Sequence, residues 1–250
     1  MSAVSLSGVG QSSNMNTEYL SFCPRLKEMV ESGKSTDLDG QPIDIGGVST
    51  LGNLRAIREL ILRNKYTKTL EVGLAYGGSA LTFLTTMKEV SGDNFHHSAI
   101  DPFQRTDMGG ASLRSISEEG FSDHFTFHED YSCFVLADLA RKEDRYDLIY
   151  VDGAHIFEDV FLDFYYCAKI LKPGGIVLFD DCRDKHIIKV IKFIRNNYSD
   201  HLKEIDYKAI DDPEKPMVKK IGNALGVRQF CAFELVKDPP RPWNAPFTNF

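Results

Sequence analysis

From residue 69 the chain alternates short apolar runs with amphipathic stretches. Residues 69–72 (TLEV), 97–100 (HSAI), 124–128 (HFTFH), 146–151 (YDLIYV) and 176–179 (IVLF) read as strands. Between them, 78–90, 111–118, 132–141, 157–171 and 184–197 carry apolar residues at helical spacing. This alternation predicts a parallel sheet covered by helices on both faces. Two more strands fit near 203–208 and 229–236 with no clear helix between them, so the last pair is expected to be antiparallel. Residues 209–228 would then be a long charged insertion.

Upstream, residues 17–32 fit one or two short helices interrupted by Pro24. A helix over 50–63 places Leu51, Leu54, Ile57, Ile61 and Leu62 on one stripe, capped by Ser49 or Thr50. Residues 33–49 hold five glycines and prolines and read as a loop. The organisation predicted is a flexible segment (1–16), one domain (17–237) opened by a helical cap (17–63), and an extended tail (238–250). That tail is proline-broken and aromatic. It is expected to pack on the surface or on a neighbouring subunit of a homo-oligomer.

Composition narrows the classes. Hydrophobic content of 42% and charged content of 26% are those of a soluble globular enzyme. A net charge of -7 argues against a nucleic-acid partner. The five cysteines form no C-x-x-C and suit free thiols in a reducing compartment. No apolar run approaches the ~18 residues that cross a bilayer. The start of the chain lacks a basic segment followed by an apolar block. The expectation is a cytoplasmic protein with no membrane partner.

The chemistry gathers at strand ends, where an open parallel sheet binds its ligands. Glu71 lies on the first strand, Asp101 ends the second, and Glu129-Asp130 follow the third. Asp152 ends the fourth and Asp180-Asp181 the fifth. The first turn reads E-x-G-x-x-x-G (Glu71, Gly73, Gly77), with alanine at 75, and so departs from the G-x-G-x-x-G of dinucleotide binders. A wide turn flanked by acids suits a nucleotide that carries an ammonium and no phosphate, such as S-adenosylmethionine. Asp101 would accept its ribose hydroxyls. Cys182 reads as a packed thiol, and His96, His97, His124, His186 and His201 as structural or solvated. Phe103, Gln104, Arg105 and the Gly109-Gly110 loop are candidates for a lid or for substrate contacts.

LEVGLAYGGSAL, IDPFQ and YDLIYVDGAHIFEDVFLDFYYCAKILKPGGIVLFDDC, in this order, resemble the class I S-adenosylmethionine-dependent methyltransferases. The resemblance is closest to the family of macrocin and macrolide-sugar O-methyltransferases (methyltransferase family 24) and spans roughly residues 50–198. It implies a doubly wound, mostly parallel seven-stranded sheet with a reversed last hairpin. It implies that Glu71, Gly73, Ala75, Gly77 and Ser79 surround the methionine part, that Asp101 holds the ribose, and that Asp130 and Tyr131 meet the adenine edge. Asp152, Asp180 and Asp181 correspond to ligands of Mg²⁺ or another divalent cation, with Asp152 also beside the cofactor. Acids ending neighbouring strands ~4.8 Å apart can converge on such an ion. Asp180 and Asp181 are adjacent, so both reach it only if the strand has already turned.

His155 corresponds to a general base, and a histidine ordinarily titrates near about 6.5, which suits proton removal around neutrality. His128 is a weaker second candidate. The function implied is metal-assisted O-methylation of a hydroxyl on a small polyol, sugar or natural product. Competing readings are a metal-dependent oxygenase on the same scaffold and a non-catalytic S-adenosylmethionine-binding protein. A nicotinamide oxidoreductase is disfavoured by the first turn.

Overall fold

The computed structural model describes residues 17–205, 229–238 and 241–250. The expected flexible segment 1–16, the insertion 209–228 and the end of the strand expected at 203–208 lie outside the described residues.

The chain enters through a 3₁₀ turn (Thr17–Phe22) and α1 (Pro24–Ser32). Pro24 starts α1, where its missing N–H costs nothing. Residues expected to be a loop then form a small antiparallel hairpin, β1 (Lys34–Thr36) and β2 (Pro42–Asp44). The short polar strands carry no periodic signal, and tertiary contacts hold the hairpin instead. Leu38 N donates to Gly109 O at 2.9 Å, and Arg114 Nη1 donates to Asp37 O at 3.1 Å. Helix α2 (Leu51–Asn64) follows, its first turn closed by Thr50 Oγ1, which accepts from Asn53 N at 3.3 Å.

The alternation predicted from residue 69 then appears. It runs β3 (Lys68–Val72), α3 (Gly78–Ser91), β4 (His96–Ile100), the short α4 (Gln104–Asp107), α5 (Ala111–Glu118) and β5 (Phe125–His128). It continues with α6 (Ser132–Arg141), β6 (Tyr146–Val151), α7 (Phe157–Ile170), β7 (Leu171–Phe179) and α8 (Lys185–Asn197). It closes with β8 (Leu202–Glu204) and β9 (Cys231–Leu235).

These make one seven-stranded sheet of order β5-β4-β3-β6-β7-β9-β8. The first five are parallel, and β9 runs antiparallel to both β7 and β8. The reversed last hairpin is as expected. Strand β7 starts earlier than expected. The Lys172-Pro173-Gly174-Gly175 stretch stands inside it as an irregularity, between the pairs Tyr146↔Leu171 and Leu148↔Ile176. One apolar cluster packs α6, α7 and α8 on one face, and a second packs α1, α2 and α3 on the other.

The tail lies on its own chain. Phe250 meets Phe193 edge-on at 5.1 Å and stacks near Phe157 at 6.3 Å. Asn197 brackets Thr248, donating to its carbonyl and accepting from its amide, each at 2.8 Å.

Register positions the site. Val72 pairs with both Ile100 and Val151, and Val151 pairs with Phe179. The next residue of each strand therefore falls in one row along the carboxyl edge: Gly73, Asp101, Asp152 and Asp180. Their amides continue the ladder, with Asp152 N on Val72 O at 2.9 Å and Asp180 N on Val151 O at 3.1 Å.

Candidate functional site

Two clusters of different character occupy that row. The first is the β3–α3 turn. Gly73 (φ 90°), Ala75 (φ 42°) and Gly77 (φ 83°) carry the chain through the left-handed region. A Cβ at Gly73 would overlap the Asp152 carbonyl oxygen, and one at Gly77 would lie 2.9 Å from Ser112. Close approach of the protein's own chain thus requires glycine here.

Asp101 braces this turn from β4. Its Oδ2 accepts from Leu74 N at 3.1 Å, Ala75 N at 2.9 Å and Gln104 Nε2 at 3.3 Å, and its Oδ1 accepts from Phe103 N at 2.9 Å. A carboxylate offers about four acceptor sites, shared by two oxygens. Oδ2 is saturated and Oδ1 keeps capacity for one more donor. The residue expected to hold a ribose is therefore first a support of the turn, and is only 5% exposed.

Glu71 is fully buried. Its Oε1 lies 3.2 Å from His97 Nε2, and the other ring nitrogen lies 2.8 Å from Thr69 Oγ1. Glu71 Oε2 is buried without a partner. A buried carboxylate oxygen lacking a donor is costly, and it fits a ligand that brings a cationic N–H. Ser79 is buried in the first turn of α3. Asp130 and Tyr131 stand exposed after β5, where Tyr131 meets Phe103 edge-on at 6.2 Å.

The second cluster joins the ends of β6 and β7. Tyr150 and Asp152 lie two apart on β6 and so share a face. Tyr150 OH is 2.9 Å from Asp152 Oδ2 and 2.8 Å from Asp180 Oδ2. A phenol has one proton to donate. Only one of these contacts is a phenol donation, so the other needs a proton on the carboxyl. Burial first, then the neighbouring Asp180, pushes Asp152 up to about 7, and burial raises Asp180 as well. Ser49 Oγ donates to Asp152 at 3.2 Å, and Asn53 Nδ2 of α2 donates to Asp180 at 2.5 Å.

Strand β7 ends at Phe179, and Asp181 turns through φ 48°. The turn that both acids require is therefore present. Gln229 Nε2 donates to both, at 3.3 Å to Asp180 Oδ1 and more closely to Asp181 Oδ1. Asp181 Oδ2 faces His155 Nε2 at 3.1 Å. The cap of α8 is Asp184, which accepts from His186 N at 2.7 Å, so neither Asp180 nor Asp181 serves there.

One ligand atom each from Asp152, His155 and Asp181 lie within 4.8 Å of one another. Two carboxylates and an imidazole are donors of the kind a divalent cation takes. Asp180, expected in the ligand set, has both oxygens occupied by Tyr150, Asn53, Gln229 and the Asp181 amide. His155 is the third member of the group whose ligand-type atoms converge here.

A small pocket beneath is polar toward Asp152, His155 and Asp180 and apolar toward Val160, Phe179 and Ile187. His128 has no described contact with this centre, and burial lowers its basicity. Cys182 is a packed thiol, as expected, with its pKa raised by burial.

Sequence reasoning missed Ser49, Asn53, Tyr150 and Gln229. The parity of Tyr150 with Asp152 was a usable signal. So was Asn53, a polar residue buried beside the α2 stripe.

Residues 70–182 match the family model described as a methyltransferase domain, which spans β3 through the Asp180-Asp181 turn. Over these residues the chain is similar to a methyltransferase domain, and the enzyme class expected from the sequence, an S-adenosylmethionine-dependent methyltransferase, is borne out. No curated protein sequence matches the chain. Among solved structures, the chain is similar to the O-methyltransferase TomG from Streptomyces achromogenes, involved in tomaymycin synthesis, in complex with SAM. That likeness has a TM-score of 0.58 and 12% identity over 90% of this chain and 92% of that one. It is also similar to an O-methyltransferase from Bacillus cereus in complex with SAH, with a TM-score of 0.60 and 11% identity over 86% and 91%. At these identities the likeness shows the fold, which is the Rossmann-like methyltransferase fold expected.

Proposed function

We propose that this chain is an S-adenosylmethionine-dependent O-methyltransferase that methylates a hydroxyl bound at the Asp152–His155–Asp181 centre. The observation that carries this reading is the centre's place in the row. A histidine and two converging carboxylates stand beside the glycine turn, inside the stretch that matches a methyltransferase domain. That both solved relatives above are described as O-methyltransferases, with SAM or SAH, supports the same reading.

S-adenosylmethionine, when bound, supplies an electrophilic methyl group. The β3–α3 turn, at Gly73, Ala75 and Gly77, would hold its methionine part beside Ser79, with the unpartnered Glu71 Oε2 accepting from its ammonium. The free capacity of Asp101 Oδ1 is left for the ribose, and Asp130 and Tyr131 for the adenine edge.

His155 takes the acceptor's proton. Asp181 holds Nε2, which fixes the ring, leaves Nδ1 to receive the proton, and stabilises the imidazolium that forms. Tyr150, Ser49, Asn53 and Gln229 keep the acids in place. A divalent cation such as Mg²⁺ would be held by Asp152 and Asp181 with His155 alongside, and such an ion lowers the pKa of a hydroxyl it binds. The acceptor class is a small polyol, sugar or natural-product hydroxyl, in line with the macrocin-type resemblance. The proposed setting is the cytoplasm, and among the described residues no helix is long and apolar enough to cross a membrane.

The test is transfer of label from S-adenosylmethionine to a panel of sugars, polyols and phenols, with and without EDTA. The expected result is transfer that EDTA removes and Mg²⁺ restores. Transfer unchanged by EDTA removes the metal from the proposal. No transfer with S-adenosylhomocysteine still bound favours a binding protein, and tight NAD binding contradicts the whole reading.

A further inference from the structure

Resting on the reading of Asp101 as the acceptor of the cofactor's ribose, we propose that Gln104 is a positioning residue for S-adenosylmethionine. It holds the Asp101 carboxylate so that Oδ1 stays open to the ribose hydroxyls. Gln104 opens α4 and is fully buried, while its neighbours Phe103 and Arg105 are exposed.

Its amide joins three elements. Nε2 donates to Ala75 O in the β3–α3 turn at 2.5 Å and to Asp101 Oδ2 at the end of β4 at 3.3 Å. Oε1 accepts from Ser112 Oγ of α5 at 2.5 Å. Ser112 is itself buried, and it is the residue that a Cβ at Gly77 would meet. The amide can face only one way, since its nitrogen meets two acceptors and its oxygen meets a hydroxyl.

The consequence falls on Asp101. Leu74 N, Ala75 N and Gln104 Nε2 converge on Oδ2, whereas Oδ1 accepts from Phe103 N. A carboxylate oxygen has two lone pairs, so Oδ1 keeps one. Without Gln104 the carboxylate can turn about its Cβ–Cγ bond and share its donors, and the open position is no longer fixed. Ala75 depends on the same amide. It stands at φ 42°, where residues other than glycine are strained, and Gln104 gives its carbonyl a partner there.

The segment that carries Gln104 is pinned on both flanks. Phe103 meets Tyr131 edge-on at 6.2 Å. Arg105 pairs with Glu129, whose Oε1 also accepts from Arg105 N at 3.2 Å. The side chain is thus delivered from a fixed backbone, as precise positioning of a binding group requires.

The experiment uses the full chain and measures displacement of labelled S-adenosylhomocysteine by adenosine and by its dideoxy analogue, which lacks both ribose hydroxyls. Wild type is expected to favour adenosine by about tenfold or more, since a site built to hydrogen-bond a hydroxyl rejects the analogue without it. Gln104→Glu keeps the volume and the acceptor for Ser112, but sets a second carboxylate against Asp101 in place of a donor. It is expected to bring the ratio to about one. Gln104→Leu removes the donor without adding charge and is expected to fall between. A merely structural role would weaken both nucleosides alike and leave the ratio where it was. If neither variant folds, Ser112→Ala decides, since it frees only Oε1 and is expected to cut the ratio about threefold. A ratio unchanged in the variants that fold overturns this inference and leaves the methyltransferase and the ribose reading of Asp101 standing. No preference for adenosine in wild type overturns that reading of Asp101 and this inference with it.

Discussion

The glycine turn after β3 and the acid centre after β6 and β7 lie side by side on one sheet edge, yet they are built on opposite terms. In the turn the amides of Gly73, Leu74, Ala75 and Gly77 all have acceptors, while Glu71 Oε2 beside it is left for a ligand. Asp101 closes it with four hydrogen bonds, and its glycines are fixed by the closeness of Asp152 and Ser112. In the acid centre one phenol with a single proton lies against two carboxyls, and Asp152 is pushed up to about 7. One region is a finished surface that a ligand meets. The other stores unfavourable charge that a ligand, a cation or a proton transfer relieves. A binding site gains from the first design. A reacting site gains from the second, because groups with displaced affinities for protons can exchange them near neutral pH.

The largest effect is expected at the satisfied end. Gly73→Ala places a Cβ on the Asp152 carbonyl at a backbone angle that alanine resists, and should cost on the order of 4 kcal/mol or prevent folding. Gly33→Ala, also left-handed but with nothing within 4 Å, is the control. It should cost about 1–2 kcal/mol in urea unfolding. Equal costs for the two would mean that the turn is not rigid, and the contrast would collapse.

Asp163 of α7 separates stored charge from function. It is fully buried, and neither carboxylate oxygen has a hydrogen bond of ordinary geometry, although Ser132 lies near enough to favour the charged form slightly. Burial pushes it from 3.8 up to about 7. Between these values the folded chain keeps a proton that the unfolded chain has released. Stability therefore falls as pH rises from about 4 to about 7 and stays low above it. Asp163→Asn should remove the Asp163 share of that slope, leaving the share of Asp152, and stabilise the chain at pH 8 by on the order of 2–4 kcal/mol, with methyl transfer unchanged. A flat stability profile in the wild type would show that burial alone does not strain an acid here, and would weaken the same argument for Asp152.

Asn53→Ala is expected to be the mildest change. It removes one donor from Asp180 and should cost about 1–2 kcal/mol in unfolding. Affinity for S-adenosylhomocysteine should hold in calorimetry, because the Asn53 side chain donates to Asp180 of the acid centre. A loss of that affinity would join the two regions that the comparison separates.

The sheet was largely legible in the sequence, because apolar runs such as YDLIYV and IVLF state their own burial. The acids at the strand ends were legible for the same reason, since each ends such a run. The β1–β2 hairpin was not. Its strands are three residues each, and its stability comes from Gly109 and Arg114, which lie far along the chain. The partners of the acids were hidden likewise. Asn53 meets Asp180 across 127 residues, and Gln229 meets it across 49. No local pattern encodes such convergence. Motif spacing put Asp180 and Asp181 on equal footing, and only the turn at Asp181 separates them. The turn frees Asp181 for His155, while Asn53 and Tyr150 hold Asp180 in the wall.

The most direct test of the account is the rate of methyl transfer by His155→Gln at saturating S-adenosylmethionine and acceptor. The account predicts a fall of about 10²–10⁴-fold, the range for loss of a positioned base. A rate within a few-fold of the wild type would show that the acid–histidine centre is not where the chemistry takes place.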